Sequence, residues 1–178
     1  MPSSLRIVQA WDSAFKTATA NDFSACVTLA ETKTGYCVLH DLRGKWEFPA
    51  LVRTMREHAA AWNPAAVVVE DAASGQSLTQ VLRAETRLPI IGVKPQGSKV
   101  LRAQLVAPLV ESGKVSLPET APWKTVFLDE LTGFPAAAHD DMADALIHGL
   151  TYVRAAARPG PFRFVAVGRA NEDRWRGY

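Results

Sequence analysis

The sequence predicts an α/β domain built on a mixed five-stranded sheet, with three antiparallel strands, two parallel strands and helices on both faces. Two early apolar runs are joined by a short loop containing Gly35, which is typical of a β-hairpin with antiparallel strands. Later apolar runs alternate with stretches of helical period, and a helix between two strands favours parallel pairing. The length of 178 residues suits one domain with a sizeable core.

The first half of the chain predicts the hairpin and one helix. A short apolar run ending at Trp11 and Asp12 predicts the first strand. Apolar residues between Phe48 and Trp62 recur with a helical period, and Pro49 falls in the first turn, where proline is tolerated. The predicted elements are strands at 5–10, 24–29 and 36–40 and a helix at 48–62.

The second half alternates strands and helices. Val67, Val68 and Val69 are β-branched and form part of a continuous apolar run, which suits a strand buried on both faces. Pro159 and Pro161 end the last helical stretch, so the folded domain is expected to span 1–157 and a tail 158–178. The predicted elements are strands at 65–69 and 89–93 and helices at 74–85, 99–112 and 139–157.

Composition and charge exclude several classes of protein. The sequence has no run of 18 apolar residues and no apolar signal core, so neither a membrane span nor secretion is expected. Cys26 and Cys37 lie in apolar, strand-like stretches and are expected to be buried reduced thiols, which fits a cytoplasmic protein. The net charge of +2 is too small to indicate nucleic-acid binding, although the tail is rich in arginine.

Three acidic clusters lie at the ends of predicted elements. Asp12 follows the first strand, and Glu70 with Asp71 follows the strand at 65–69. The third cluster opens the last helix and contains Asp140, Asp141 and Asp144. Asp141 and Asp144 are three residues apart and therefore share a helical face. If the first and fourth strands are neighbours, all three clusters can converge.

Such a convergence would suit hard divalent cations. Mg²⁺ takes oxygen ligands and keeps several waters, and two ions about 3.5–4 Å apart can clamp the attacking and leaving oxygens of a phosphodiester. Several carboxylates in one place would repel one another strongly without a metal. Taken singly, Asp12 could be a turn residue and Asp140 or Asp141 a helix cap. His148 is expected to be an ordinary helix histidine rather than a ligand.

Four segments carry a resemblance to a known family. They are Val-Gln-Ala-Trp-Asp-Ser-Ala at 8–14, Val-Val-Glu-Asp-Ala-Ala-Ser-Gly-Gln-Ser-Leu at 68–78, Lys-Val-Leu-Arg-Ala at 99–103 and His-Asp-Asp-Met-Ala-Asp-Ala-Leu at 139–146. In this order and spacing, the chain resembles the nuclease domain of the large terminase subunit of tailed bacteriophages and prophages. The resemblance spans roughly residues 5–155.

The resemblance implies a ribonuclease H-like fold and a set of metal ligands. Asp12 is expected to bridge two divalent cations, Mg²⁺ or Mn²⁺, and Glu70 to be the second ligand, with Asp71 outside the metal contacts. The third acid stays open, because Asp141 and Asp144 fit best and Asp140 is a further candidate. The expected catalytic set is Asp12, Glu70, Asp141 and Asp144.

The resemblance also implies an activity and partners. The chain is expected to be a metal-dependent endonuclease that cuts concatemeric double-stranded viral DNA during genome packaging in the host bacterial cytoplasm. Expected partners are the terminase ATPase motor, the portal and the small terminase subunit. The sequence has no G-x-x-x-x-G-K-[ST] phosphate loop, so it resembles the nuclease part alone.

Three basic residues are candidates for DNA contact. Lys94, Lys99 and Arg102 lie between the fifth strand and the following helix, and Lys99 and Arg102 can share one exposed face. The alternative is a solvated helix face without a ligand. Trp11, beside Asp12, is expected in the core rather than in a DNA groove.

Two rival functions use the same fold. A Holliday-junction resolvase would prefer four-way junctions over linear duplex. A non-catalytic DNA-binding or docking module would bind without metal and would not cut. The three acidic clusters argue against the second rival, because an inert module has no use for their mutual repulsion.

Overall fold

The computed structural model describes residues 6–13, 23–70 and 78–156. These residues form one sheet of six strands covered by helices on both faces. The strands are β1 (Arg6–Asp12), β2 (Ser24–Glu31), β3 (Tyr36–Gly44), β4 (Ala66–Glu70), β5 (Ile90–Val93) and β6 (Val115–Ser116). The helices are α1 (Phe48–Trp62), α2 (Leu78–Glu85), α3 (Lys99–Glu111), α4 (Lys124–Gly133) and α5 (Asp141–Ala156).

The strand order is β5-β4-β1-β2-β3-β6, which makes the sheet mixed, as predicted. β1 pairs antiparallel with β2, and β2 pairs antiparallel with β3, so the predicted hairpin is confirmed. β1 pairs parallel with β4, and β4 pairs parallel with β5. Each of these later strands is reached through a helix, which is the connection that parallel pairing requires.

The prediction of five strands was wrong by one, and one helix was not predicted. β6 has only two residues, too few to show a period, and it forms by pairing with β3, so that β6 becomes the edge strand of the sheet. The amide of Tyr36 donates to the carbonyl of Lys114 over 2.7 Å. Helix α4 buries only Phe127 and Glu130, so it has no apolar stripe that a periodicity argument could detect.

Successive residues of β1 face opposite layers, as the alternation of a strand requires. Trp11 is fully buried beneath α1 and α2, which confirms its expected place in the core. Val8 and Ala10 face the layer formed mainly by α5. This second layer packs closely because Gly149 lies in α5, where a β-carbon would come within 2.6 Å of Leu29 Cδ1 and 3.2 Å of Ala10 Cβ.

The two cysteines differ in burial. Cys26 is fully buried and Cys37 is only partly buried, and both are free thiols, so the expectation of two buried thiols is correct for Cys26 alone. Asp71 and the predicted tail at 158–178 lie outside the described residues, as does the start of the helix predicted at 74–85.

None of the described helices combines the length and apolar character that crossing a membrane would demand.

Candidate functional site

The ends of β1 and β4 bring two acidic residues together. The strands are parallel neighbours, and Trp11 is in register with Val69, so both strands end at the same edge of the sheet. Ala10 and Val68 face the α5 layer. Because side chains two apart share a face, Asp12 and Glu70 are also directed toward α5.

Helix α5 supplies the opposing side chains. Asp144 and His148 are four residues apart and therefore lie one above the other on the same helical face. Both are buried, with 1% of Asp144 and 5% of His148 exposed. The close approach permitted by Gly149 brings this face against β1, the strand that ends in Asp12.

Asp12, Glu70 and His148 form a compact donor group. One ligand atom from each lies within 4.8 Å of the others, and His148 Nε2 is 3.0 Å from Glu70 Oε2. Within 6–13, 23–70 and 78–156, no other set of three or more histidine, cysteine or acidic residues converges this closely. Carboxylate oxygens suit Mg²⁺ and Mn²⁺, so the donor chemistry fits a divalent cation.

The charge balance of this group also fits a cation. The pKa of Asp12 is raised to about 7, first by burial and then by the negative charges of Asp144 and Glu70, which the nearby His148 opposes only in part. A carboxylate held among other carboxylates gains most from a bound positive charge. A cation bound at the end of β1 would therefore offset the negative charge that Asp12 meets from Asp144 and Glu70.

All five predicted metal ligands line a single cleft. Its volume is about 630 Å³, and Asp12 and Glu70 face the acids of α5 across it. The other predicted ligands in the cleft are Asp140, which precedes α5, and Asp141 and Asp144 within α5. Asp141 is half-buried, and its pKa is raised by burial and by the charges of Glu130 and Asp140.

Two of the three predicted DNA-contacting residues line the same cleft. The Lys99 ammonium lies 2.6 Å from Asp144 and 2.8 Å from Asp140, and Arg102 Nη2 lies 3.4 Å from Asp144. Lys94 is exposed beyond β5 and is not among the cleft residues. The structure thus brings Lys99 and Arg102 to the acids and leaves Lys94 apart.

Sequence reasoning missed the role of Glu130. This buried residue of α4 accepts hydrogen bonds at Oε1 from the amides of Met142 (2.6 Å) and Ala143 (3.1 Å), and its Oε2 pairs with Arg43 at 2.9 Å. It therefore caps the start of α5, where free amides need acceptors. No sequence signal marks it, because the cap comes from another helix.

Both the sequence and the fold of this chain are similar to those of known proteins. Residues 9–152 match the sequence profile of the terminase RNaseH-like domain. The large terminase nuclease of the thermophilic phage G20c, solved with bound magnesium, superposes with a TM-score of 0.67 at 19% identity, covering 85% of this chain and 82% of that one. The P22 large terminase nuclease domain gives 0.66 at 13% identity, covering 86% and 84%.

One of the similar structures is a considerably longer chain. The large terminase of another thermophilic bacteriophage gives a TM-score of 0.64 at 8% identity, covering 86% of this chain but 41% of that one. No curated protein sequence matches at a significant level. Because the profile covers most of the chain and the fold agrees, the chain belongs to the terminase RNaseH-like domain family.

Proposed function

We propose that this domain is a metal-dependent endonuclease that cuts double-stranded DNA. The observation that carries the proposal is the cleft in which Asp12 and Glu70 meet the acids of α5. Family membership supports it, since the relatives from G20c and P22 are terminase nuclease domains. The G20c nuclease has been solved with bound cobalt, magnesium and zinc, which supports a divalent metal here.

The proposed catalytic residues are Asp12, Glu70, Asp141 and Asp144, with Asp140 as a further metal ligand. Two bound Mg²⁺ or Mn²⁺ ions would lower the pKa of an attacking water and stabilise the leaving oxygen of the phosphodiester. Asp12 is buried and lies near the negative charges of Asp144 and Glu70, and it is proposed to be the central ligand of the metal centre.

Lys99 and Arg102 are proposed to hold the DNA backbone at the cleft. Both side chains line it, and both carry a charge that phosphate oxygens attract. Further positive charge lies beside the cleft. Phe23 lines it, and the Arg43 and Lys45 cations lie 4.6 Å from the centroid of the Phe23 ring. Contacts to phosphate carry no sequence information, so cutting with little sequence preference follows. Lys94, outside the cleft, would contribute only general attraction.

The proposed substrate is concatemeric viral DNA, cut during genome packaging in the host bacterial cytoplasm. The longer phage relative, of which this chain covers 41%, supports a nuclease that works as part of a larger terminase. The proposed partners are therefore the terminase ATPase motor, the portal and the small terminase subunit.

Plasmid cleavage tests the proposal. The protein should cut supercoiled plasmid when Mg²⁺ or Mn²⁺ is present and should stop when the metal is chelated. Asp12→Asn should abolish cutting while leaving the circular-dichroism spectrum unchanged. Asp129→Asn, which alters an exposed acid on α4, is the matched control and should cut normally. Cleavage by purified Asp12→Asn protein at the wild-type rate would reject the proposal, and a strong preference for four-way junctions would favour a resolvase instead.

A further inference from the structure

We propose that His148 is a positioning residue that holds the carboxylate of Glu70 at the metal centre. Its ring nitrogen Nε2 lies 3.0 Å from Glu70 Oε2, and because a carboxylate oxygen only accepts, the ring nitrogen is the donor. The inference rests on the proposed function, because it assigns a task to a residue beside the proposed ligands.

The contact is shielded from water. Only 5% of the His148 side chain and 11% of the Glu70 side chain are exposed. A hydrogen bond in such surroundings is stronger than the same bond in water, because few water molecules compete for its partners. The pair can therefore hold a defined geometry in a way that an exposed pair cannot.

The place of Glu70 in the fold explains what this hydrogen bond contributes. It is the last residue of β4, so pairing with β5 orders its backbone but not its side chain, which rotates about several bonds. The negative charge of nearby Asp12 acts on this carboxylate and tends to push it away. A donor on the rigid helix α5 opposes that displacement. Ligating carboxylates in metal sites commonly receive hydrogen bonds of this kind, which orient them.

Positioning fits the geometry better than direct ligation by His148. Asp12 and Glu70 line the cleft, whereas His148 is not among the cleft residues. A ring nitrogen that carries the proton of a hydrogen bond has no lone pair for a metal, so donation from Nε2 and coordination by Nε2 exclude each other. Nε2 of His148 lies close enough to Asp12 and Glu70 to be a third donor atom, but while it donates to Glu70 it cannot also coordinate a metal.

Metal titration of the whole chain without DNA is the first test. His148→Leu removes the donor and should lower the affinity for Mg²⁺ and for Mn²⁺ by a similar factor of about 10–100, measured by isothermal titration calorimetry. His148→Gln places an amide donor near the position of Nε2 and should restore most of the affinity. His58→Leu, which alters a half-buried histidine packed against Trp11 on the other face of the sheet, is the control and should bind metal normally.

Nitrogen-15 NMR of the wild-type imidazole is the second test and needs no variant. Nε2 of His148 should carry a proton both without metal and after saturation with Mg²⁺. The same should hold with Cd²⁺, and no coupling between this nitrogen and ¹¹³Cd should appear. Loss of the Nε2 proton on metal addition, or a cadmium coupling, would make His148 a ligand and overturn the inference.

The outcomes separate the two proposals. Wild-type affinity in His148→Leu would overturn the positioning role while leaving the proposed nuclease function intact. Metal binding by the wild-type protein without any DNA cleavage would overturn the proposed function. The metal titration and the NMR experiment would still test the role of His148 in that case. A wild-type protein that binds no divalent metal would overturn both. If His148→Leu fails to fold, the NMR experiment still decides.

Discussion

The ammonium nitrogen of Lys99 lies 2.6 Å from Oδ2 of Asp144, a side chain that is almost completely buried. Lys99 also lies 2.8 Å from Asp140, and Arg102 reaches the other oxygen of Asp144 at 3.4 Å. The start of α3 thus supplies positive charge to the acids at the start of α5. A metal bound to these acids would have to share them with, or displace, a cation of the protein itself.

Replacing Lys99 should change how strongly a metal stabilises the protein. Lys99→Met leaves Asp140 and Asp144 with less compensation, so we expect the metal-free protein to lose about 1–3 kcal/mol of unfolding free energy. A metal ion then meets less competition for the same acids. The rise in melting temperature on adding Mn²⁺ should therefore be larger than for the wild-type protein, as measured by differential scanning fluorimetry.

Lys94→Met provides the control for this experiment, because Lys94 is exposed and lies outside the cleft. It should change neither the metal-free melting temperature nor the effect of Mn²⁺. An identical Mn²⁺ effect in wild-type and Lys99→Met protein would contradict the competition between lysine and metal.

Glu130 should matter for stability because it caps α5 from another helix. Glu130→Ala removes the acceptor of two amides and leaves Arg43 without its buried partner, so we expect a loss of about 2–4 kcal/mol in urea unfolding. Glu130→Gln keeps an acceptor oxygen and should lose less. Asp129→Ala, at the exposed neighbouring position, should be close to wild type. Equal losses of unfolding free energy in Glu130→Ala and Glu130→Gln would argue against the capping role.

Asp41 should make stability depend on pH. Burial raises its pKa to about 7, the charge of Glu130 adds to the rise, and Arg43 opposes it. The folded protein then binds a proton that the unfolded chain has released, so stability falls as pH rises from about 4 to about 7 and is level above that range. Asp41→Asn is neutral at every pH and should avoid this loss. Its advantage over wild type should grow from pH 4 to pH 7, by a few kcal/mol at most.

Thermal unfolding across this pH range checks the Asp41 prediction. Glu57→Gln removes an exposed carboxylate on α1 and should show no such growing difference. An advantage of Asp41→Asn that shrinks as pH rises would show that the sign is wrong.

Gly35 should be needed for the pairing of β6 with β3. A β-carbon at this position would clash with the carbonyl oxygen of Lys114, a backbone atom that cannot rotate away. Gly35→Ala should therefore displace the edge strand, cost about 1–3 kcal/mol and speed hydrogen exchange of the Tyr36 amide, which donates to that carbonyl. Lys33→Ala changes an exposed residue of the same loop and should leave the exchange rate unaltered.

Periodicity in the sequence was enough to predict most of the elements. Apolar period predicted α1 with the observed ends and placed the start of α3 at Lys99. These patterns are local: a helix or strand buries one face, so the residues of that face recur at the period of the element. The acidic clusters could also be found locally, because each lies at the end of such an element.

The sequence by itself therefore determined the fold class, the family and the acidic residues that meet in the cleft. Only the tertiary structure decided which partners those acids have. His148 and Glu70 are 78 positions apart, and the Lys99–Asp140 contact spans 41. β6 and the cap from Glu130 likewise depend on contacts with distant segments. The physical reason is that such contacts depend on strand register and on how closely α5 packs against the sheet. Neither property produces a periodic pattern in the sequence.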